Sequence, residues 1–198
     1  MVKRIFAISM SIILIALLAV SMVGCKGPEE EEAKAIVKDL VSRSVVLNEI
    51  YFGKKGMEYR DTGNPNDIYM PVIETEKFVL KSKLVEETRA VFTLNEANSI
   101  IDMAFKGVQS EINQNSVLAR YMVLADDDWL YINKKYEYPF ECLTQYNYDT
   151  INITYSSSKF IEATIEGTRE ENGEIKTVLV EVELALEENG WRLYSSTC

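Results

Sequence analysis

Carboxylates are the most numerous side chains in this sequence that could act as acids, bases or metal ligands. The chain contains 31 acidic residues, 21 basic residues and no histidine. The missing imidazole excludes Ser-His and Cys-His nucleophile pairs, histidine-ligated zinc and histidine pH switches. Two carboxylates facing each other in a cleft could still hydrolyse a glycosidic bond, but the sequence singles out no such pair. We therefore predict a protein that is not an enzyme and that uses no cofactor.

The densest acidic cluster is the run Asp126, Asp127 and Asp128. Three neighbouring carboxylates could bind a hard cation such as calcium. The run lacks the glycine and the distant glutamate of a calcium loop, and it falls where two predicted strands need a solvated turn. We expect a turn here and predict no metal site.

Tyrosines are concentrated in the second half of the chain, with seven of them from Tyr121 to Tyr155. Such a cluster can form a pocket or a protein-binding face, although aromatic side chains also fill strand-rich cores. Lys134, Lys135 and Pro139 mark the middle of this run as a loop or an edge. The candidate binding surface therefore comprises Asp126, Asp127, Asp128, Trp129, Tyr131, Tyr136 and Tyr138.

The N-terminus has the pattern of an export signal. Lys3 and Arg4 precede an almost uninterrupted apolar run over residues 5–23, and Gly24 precedes Cys25. This ending resembles the lipobox of bacterial lipoproteins, in which the cysteine is diacylated and becomes the first residue of the mature chain. An uncleaved membrane anchor is the alternative, because the apolar run could just span a bilayer.

The lipobox resemblance implies that the chain divides into a signal peptide, a tether and a domain, and it implies a cellular location. Residues 1–24 would be the signal peptide, residues 25–32 a lipidated acidic tether and residues 33–198 a single domain. The domain would lie on the extracytoplasmic face of the bacterial cell membrane, held there through Cys25. In an exported chain the other two cysteines, Cys142 and Cys198, could form one disulfide, and two free buried thiols are the alternative.

The charge of the chain limits its partners. The formal net charge is −10, and the export signal contributes only basic residues, so the remaining domain is more acidic still. Nucleic acid and anionic lipid headgroups would repel such a domain. We predict no nucleic-acid partner and expect a cationic one.

The first half of the domain has helical periodicity. A helix is predicted over residues 30–48, with the apolar stripe Ala33, Ile36, Val37, Leu40 and Val41. Ser82 is expected to cap a second helix that continues to residue 92. Thr93 and Glu96 form a capping box that begins a third helix, which Gly107 ends.

From residue 117 onward, apolar residues tend to recur at every second position, and this spacing predicts strands. In the longest of them, alternate residues 178–186 are apolar and their neighbours include Glu181 and Glu183. Asn172-Gly173 and Asn189-Gly190 predict tight hairpins, so the last three strands should form an antiparallel meander. The fold class is α+β, with N-terminal helices packed on a curled antiparallel sheet. The predicted strands cover residues 117–124, 129–133, 150–155, 159–168, 175–187 and 191–195.

Short segments along this chain resemble Gram-positive exported inhibitors of DL-endopeptidases. They are Leu84 through Val91-Phe92-Thr93, then Leu130-Tyr131-Ile132, and the closing Asn189-Gly190-Trp191-Arg192. In that family, small extracytoplasmic domains bind and block peptidoglycan hydrolases of the cell wall, many of which are basic. The order of elements is also similar to the cone-shaped nuclear-transport-factor-2-like and cystatin-like folds.

Two functions follow as expectations. Inhibition of a basic cell-wall hydrolase predicts an exposed acidic and aromatic rim around a filled core. The alternative is a lipoprotein that binds a small molecule or a wall fragment in a deep cavity lined by Tyr131, Tyr148 and Trp191.

Overall fold

A 23-residue helix, α1 (Glu30–Phe52), packs against strands and a second helix in the computed structural model of the protein. The structure describes residues 26–53, 56–109, 117–136, 144–171, 174–195 and 197. Three glutamates in the first turn of α1 stabilise the positive end of the helix dipole. The helix is four residues longer than predicted because buried residues, including Leu47 and Tyr51, continue its apolar stripe to Gly53.

Two shorter helices, α2 (Lys81–Val91) and α3 (Leu94–Lys106), are joined by the buried residues Phe92 and Thr93. Thr93 is the N-cap of α3, as the capping box predicts, but its hydroxyl makes no capping bond. Its backbone N–H donates to the carbonyl of Leu193 at 2.8 Å, and the Leu94 N–H donates to the Glu187 carboxylate at 3.2 Å. The boundary is correct, but bonds to the sheet hold it.

The main sheet is antiparallel and has five strands. They are β6 (Gln145–Tyr146), β7 (Asn152–Ser156), β8 (Phe160–Glu171), β9 (Glu174–Glu187) and β10 (Gly190–Leu193). The strand order is β10-β9-β8-β6, with β7 also paired to β8. The predicted meander of the last three strands is therefore confirmed. The β9–β10 turn itself lies over residues 188–189, and Gly190, with φ of +116°, begins β10.

A smaller sheet lies near the C-terminal end of α1. It contains β1 (Tyr69–Pro71), β5 (Tyr131–Asn133) and β4 (Tyr121–Met122), and a separate hairpin pairs β2 (Val108–Gln109) with β3 (Val117–Leu118). The prediction of one strand over residues 117–124 was wrong, because that segment divides at the buried Arg120. The Tyr121 hydroxyl donates to the Ile50 carbonyl at 2.7 Å, which attaches this sheet to α1.

The core lies between the helices and the inner face of β8 and β9. From the sheet it receives fully or almost fully buried side chains, including Ile161, Ile165, Val182 and Leu184, and α1 contributes Val37 and Val41. The predicted dry face of β9 is buried at Val182 and Leu184, half-buried at Val178 and Val180, and exposed at Leu186. Helices packed on a curled antiparallel sheet confirm the predicted α+β class.

The acidic tether predicted over residues 25–32 overlaps the helix predicted from residue 30. Residues 30–32 form the first turn of α1, as the helix prediction requires. The Ser156 hydroxyl donates to the Pro28 carbonyl at 3.0 Å, which ties the segment before the helix to β7.

Candidate functional site

The long pair β8–β9 exposes one of its faces to solvent. Its residues pair in register from Phe160↔Ala185 to Glu171↔Glu174, and side chains on each strand alternate between the two faces. Alternate residues from Ile161 to Gly167 are buried, so the residues between them point outward. We call this outward surface of β8 and β9 the outer sheet face.

Glu187 at the end of β9 alternates onto this side and accepts from the Leu94 N–H. Five further glutamates lie on the outer sheet face, and all are exposed: Glu162, Glu166, Glu170, Glu181 and Glu183. Among the described residues, none of these five carboxylates has an ion-pair or hydrogen-bond partner. The two basic residues within these strands, Arg169 and Lys176, pair with each other in register and alternate onto the opposite face. Within β8 and β9 the outer sheet face therefore carries acidic side chains and no basic one, and the nearest basic residue in register is Arg192 of β10, which pairs with Ala185.

Glu162 and Glu183 are direct cross-strand partners on this face. Like charges placed directly opposite each other in an antiparallel pair destabilise the sheet by about 0.2–1 kcal/mol. Folding stability therefore does not explain this pair.

Large apolar side chains are interspersed with the glutamates. Leu179 is 65% exposed and Ile175 is 78% exposed, and both point outward from β9. Phe160 begins β8 on the same face, and Tyr155 of β7 pairs with Glu162. Carboxylates that surround exposed aromatic and aliphatic groups can bind a basic protein surface through charge and apolar contact together.

The predicted aspartate cluster is divided between solvent and a helix terminus. Asp126 and Asp127 are exposed, and the Asp127 carboxylate accepts from the Trp129 N–H at 3.0 Å. The Asp128 carboxylate accepts from the Ser82 backbone N–H at 3.2 Å and from the Ser82 hydroxyl. The expectation that Ser82 caps α2 was wrong, since α2 begins at Lys81 and Asp128 binds its first turn from another segment.

The predicted aromatic residues do not form one exposed patch in the described structure. Trp129 is half-buried, and its indole N–H donates to the Val72 carbonyl at 2.9 Å. Tyr131 is half-buried in β5, and Tyr136 lies 5.6 Å from the guanidinium of Arg120, measured to the ring centroid. Tyr138 lies outside the described residues.

Arg120 is a buried cation that sequence reasoning did not find. It is 3% exposed and donates to the Gly53 carbonyl at the end of α1 and, at 3.4 Å, to the Tyr121 hydroxyl. Burial raises the pKa of the Tyr121 phenol, so this hydroxyl stays neutral at ordinary pH. The arrangement satisfies backbone carbonyls at a helix end and has a structural role.

The three residues predicted to line a deep cavity are not brought together. Trp191 lines a groove of about 420 Å³ between α1, α2 and β10, with Ile36 and Arg43 also in its wall. Tyr131 lies in the smaller sheet, and Tyr148 lies near Lys38, whose Nζ is 5.8 Å from the tyrosine ring centroid. Among the described residues, this groove is a depression open to solvent, and its wall includes Leu40 of the apolar core cluster.

Neither the three cysteines nor a metal site can be placed in the described part of the fold. Cys25, Cys142 and Cys198 all lie outside the described residues. Within the described residues, no three acidic or cysteine side chains come close enough together to hold a metal ion. No helix in the described part of the chain combines the length and the hydrophobicity needed to cross a bilayer.

No protein-family model matches this chain, and no curated protein sequence matches it either.

Sequence reasoning recognised the outward glutamates of β9 but missed those of β8. A signal was present, since Glu162, Glu166 and Glu170 recur every four residues. An interval of four places residues on the same side of a strand, with about 13 Å between neighbours.

Proposed function

We propose that this protein is a lipid-anchored extracytoplasmic domain that binds and inhibits a basic cell-wall hydrolase of the DL-endopeptidase class. The single observation that carries the proposal is the outer sheet face, with its five unpartnered carboxylates among exposed apolar side chains. The class of enzyme proposed as the partner comes from the family resemblance of the sequence. The proposed location at the membrane comes from the lipobox resemblance at Cys25.

Charge supports a cationic partner. The chain has a net charge of −10, and part of this negative charge is concentrated on the outer sheet face, where β8 and β9 carry no outward basic residue. A basic partner would be attracted over a distance of roughly one Debye length, about 8–10 Å at physiological salt. Binding through this face should therefore be fast and sensitive to ionic strength.

The cross-strand pair of Glu162 and Glu183 supports a binding role for this face. Replacing either glutamate by a neutral or basic residue would relieve the repulsion between β8 and β9. Natural proteins commonly accept a local loss of stability at sites that serve function. The neutralisation of this repulsion by a basic partner would add to the affinity.

The packing of the described residues favours surface binding over pocket binding. Buried side chains of the helices and of the inner sheet face form one apolar core cluster. The groove near Trp191 has a volume within the range of small-molecule sites, but it is open to solvent. A protein partner that covers an exposed face requires no internal space.

The test is a charge-reversal comparison between two surfaces. Glu162→Lys with Glu181→Lys reverses charge on the outer sheet face, and Asp126→Lys with Asp127→Lys makes the same charge change at the sequence-predicted surface. Each protein is mixed at micromolar concentration with a basic wall DL-endopeptidase, and hydrolysis of peptidoglycan is followed over a series of salt concentrations.

We expect the wild-type protein to slow hydrolysis and the outer-face variant to inhibit about tenfold more weakly, which corresponds to about 1.4 kcal/mol. The aspartate variant should inhibit nearly as well as the wild type. Unchanged hydrolysis with micromolar wild-type protein would exclude inhibition. A larger loss in the aspartate variant would move the binding surface to the turn near Trp129.

A further inference from the structure

The segment that would connect the lipid anchor to the domain is docked rather than free. The Pro28 carbonyl accepts a hydrogen bond from the Ser156 hydroxyl at 3.0 Å. Gly27 approaches the β7–β8 turn so closely that a Cβ atom built on it would lie 2.5 Å from the Ser157 carbonyl carbon and oxygen. Since these are backbone atoms, no side-chain movement could make room, and only glycine fits.

The turn that receives this segment is itself well bonded. The Ser157 N–H donates to the Phe160 carbonyl at 2.8 Å, and the Ser157 hydroxyl oxygen accepts from the Phe160 N–H at 3.0 Å. The Leu186 N–H donates to the Lys159 carbonyl at 2.8 Å, which connects the turn to β9. The turn that receives the segment is therefore held to the main sheet by hydrogen bonds.

Both long elements of the domain begin at this end and extend away from it. Helix α1 starts at Glu30, beside the turn, and its 23 residues extend about 34 Å. Further along α1, Asn48 donates to the Thr197 hydroxyl, and the Thr197 carbonyl accepts from Tyr146 of β6. Strand β6 pairs with β8 at Gly167, so β8 runs alongside α1 in the same direction.

The far end of the β8–β9 pair therefore lies opposite the docked segment. The pair ends at Glu171↔Glu174, and Ile175 lies next to this end. A strand of 12 residues, such as β8, spans about 40 Å.

We propose that the end of the domain formed by Gly27, Pro28 and the β7–β8 turn faces the lipid bilayer, and that the β8–β9 hairpin extends outward from it. This inference rests on the proposed lipid anchor at Cys25. Three chain steps separate residue 25 from Pro28, so the lipidated residue lies within about 11 Å of the docked proline. Charge does not select this end, because the exposed glutamates at positions 29–32 lie there too, so the proposal depends on the anchor and the docked segment. Repulsion of the outer sheet face by anionic headgroups disfavours only an orientation in which that face lies on the membrane.

Energy transfer from the domain to the membrane tests this orientation. The full chain, lipidated in its host, is reconstituted into phosphatidylcholine–phosphatidylglycerol vesicles that contain an acceptor-labelled lipid. A donor dye is introduced through a non-natural amino acid at Ser158 of the β7–β8 turn or at Thr177 near the hairpin end, which leaves the native cysteines unchanged. We expect several-fold more efficient transfer from position 158 than from position 177.

Two alterations test the role of docking. Gly27→Val, which cannot pack against Ser157, should reduce the difference between the two positions, and so should a flexible Gly/Ser insertion of about ten residues between Cys25 and Lys26. The same insertion after Gly63, in an exposed loop where a Cβ would meet no neighbour, is the matched control and should preserve the wild-type difference. Thermal melts of each variant report whether the domain remains folded.

Equal transfer from the two positions of the lipidated protein would overturn the orientation while leaving hydrolase inhibition intact. If both docking variants keep the wild-type difference in transfer efficiency between positions 158 and 177, docking does not set the orientation. That result would also overturn the inference. Mass spectrometry that finds Cys25 without lipid would overturn the anchor and the orientation together. Hydrolase inhibition is measured separately in solution, so its failure is distinguishable from each of these results.

Discussion

Asp128 shows how a single carboxylate can be used inside the fold rather than for binding. Its oxygens accept from the backbone N–H and the hydroxyl of Ser82, and its own carbonyl accepts from the Lys81 N–H at 2.8 Å. A negative charge at this position stabilises the exposed N–H groups and the positive end of the α2 dipole. Asp126, two residues earlier, is exposed.

Replacement of Asp128 should therefore affect stability more than binding. We expect Asp128→Ala to lower the free energy of unfolding by about 1 kcal/mol, since α2 loses its capping carboxylate. Asp126→Ala, the matched control, should change it by less than about 0.5 kcal/mol. Urea unfolding followed by circular dichroism measures both, and equal effects of the two substitutions would contradict the capping role.

Helices α1 and α2 are joined by an ion pair with fork geometry. Arg43 Nε lies 2.9 Å from Glu87 Oε1, and Arg43 Nη2 lies 3.2 Å from Glu87 Oε2. Both side chains are partly buried, and the bonded guanidinium holds the pKa of the Glu87 carboxyl below its usual range. Two parallel charge-assisted bonds make this one of the stronger polar contacts between the helices.

This pair should make helix packing sensitive to acid. Because the folded-state pKa of Glu87 is lowered, its stabilisation is complete above the unfolded pKa and is lost as the pH falls through the folded value. We expect Glu87→Gln to lower the free energy of unfolding by about 1 kcal/mol at pH 7, and the difference from wild type to shrink below about pH 4.

Urea unfolding from pH 7 to pH 3 checks this expectation. Glu86→Gln removes an exposed contact with Lys83 on the same helix and serves as the control, with an expected change near zero. A constant difference between wild type and Glu87→Gln across this range would show that the pair does not contribute through its charge.

The described part of the molecule combines one apolar core cluster with an outer surface that is not optimised for stability. Glu162 and Glu183 repel each other across the longest strand pair, while the basic residues of that pair lie on the other face. If the outer sheet face serves partner binding, a substitution that improves the sheet should weaken the partner complex.

The single substitution Glu162→Lys separates these two effects. It replaces a repulsive pair with an attractive one, so we expect the free energy of unfolding to rise by about 0.5 kcal/mol while inhibition of the hydrolase weakens. Glu170→Lys, which faces Ile175 across the strands, makes the same charge change without relieving a direct repulsion. A gain of stability with unchanged inhibition would indicate that the face does not contact the partner.

The sequence by itself determined the three helices, the long strands and their order, but not the short strands β1, β2 and β6. Apolar residues at intervals of three and four placed three helices, and alternation placed the long strands near residues 160–187. These patterns are local, because helix and strand periodicities are set by backbone geometry within a few residues. The absence of histidine and the acidic charge are likewise properties of composition alone.

Only the tertiary structure decided which side chains share a surface. The register of β8 against β9 brings Glu162 opposite Glu183, and the fold carries Asp128 to the first turn of α2, across 46 positions of sequence from Ser82. Arg120 likewise interrupts a predicted strand because its guanidinium reaches the distant end of α1. Such contacts join residues far apart in sequence, so they depend on packing of the whole chain and leave no periodic signal in any one segment.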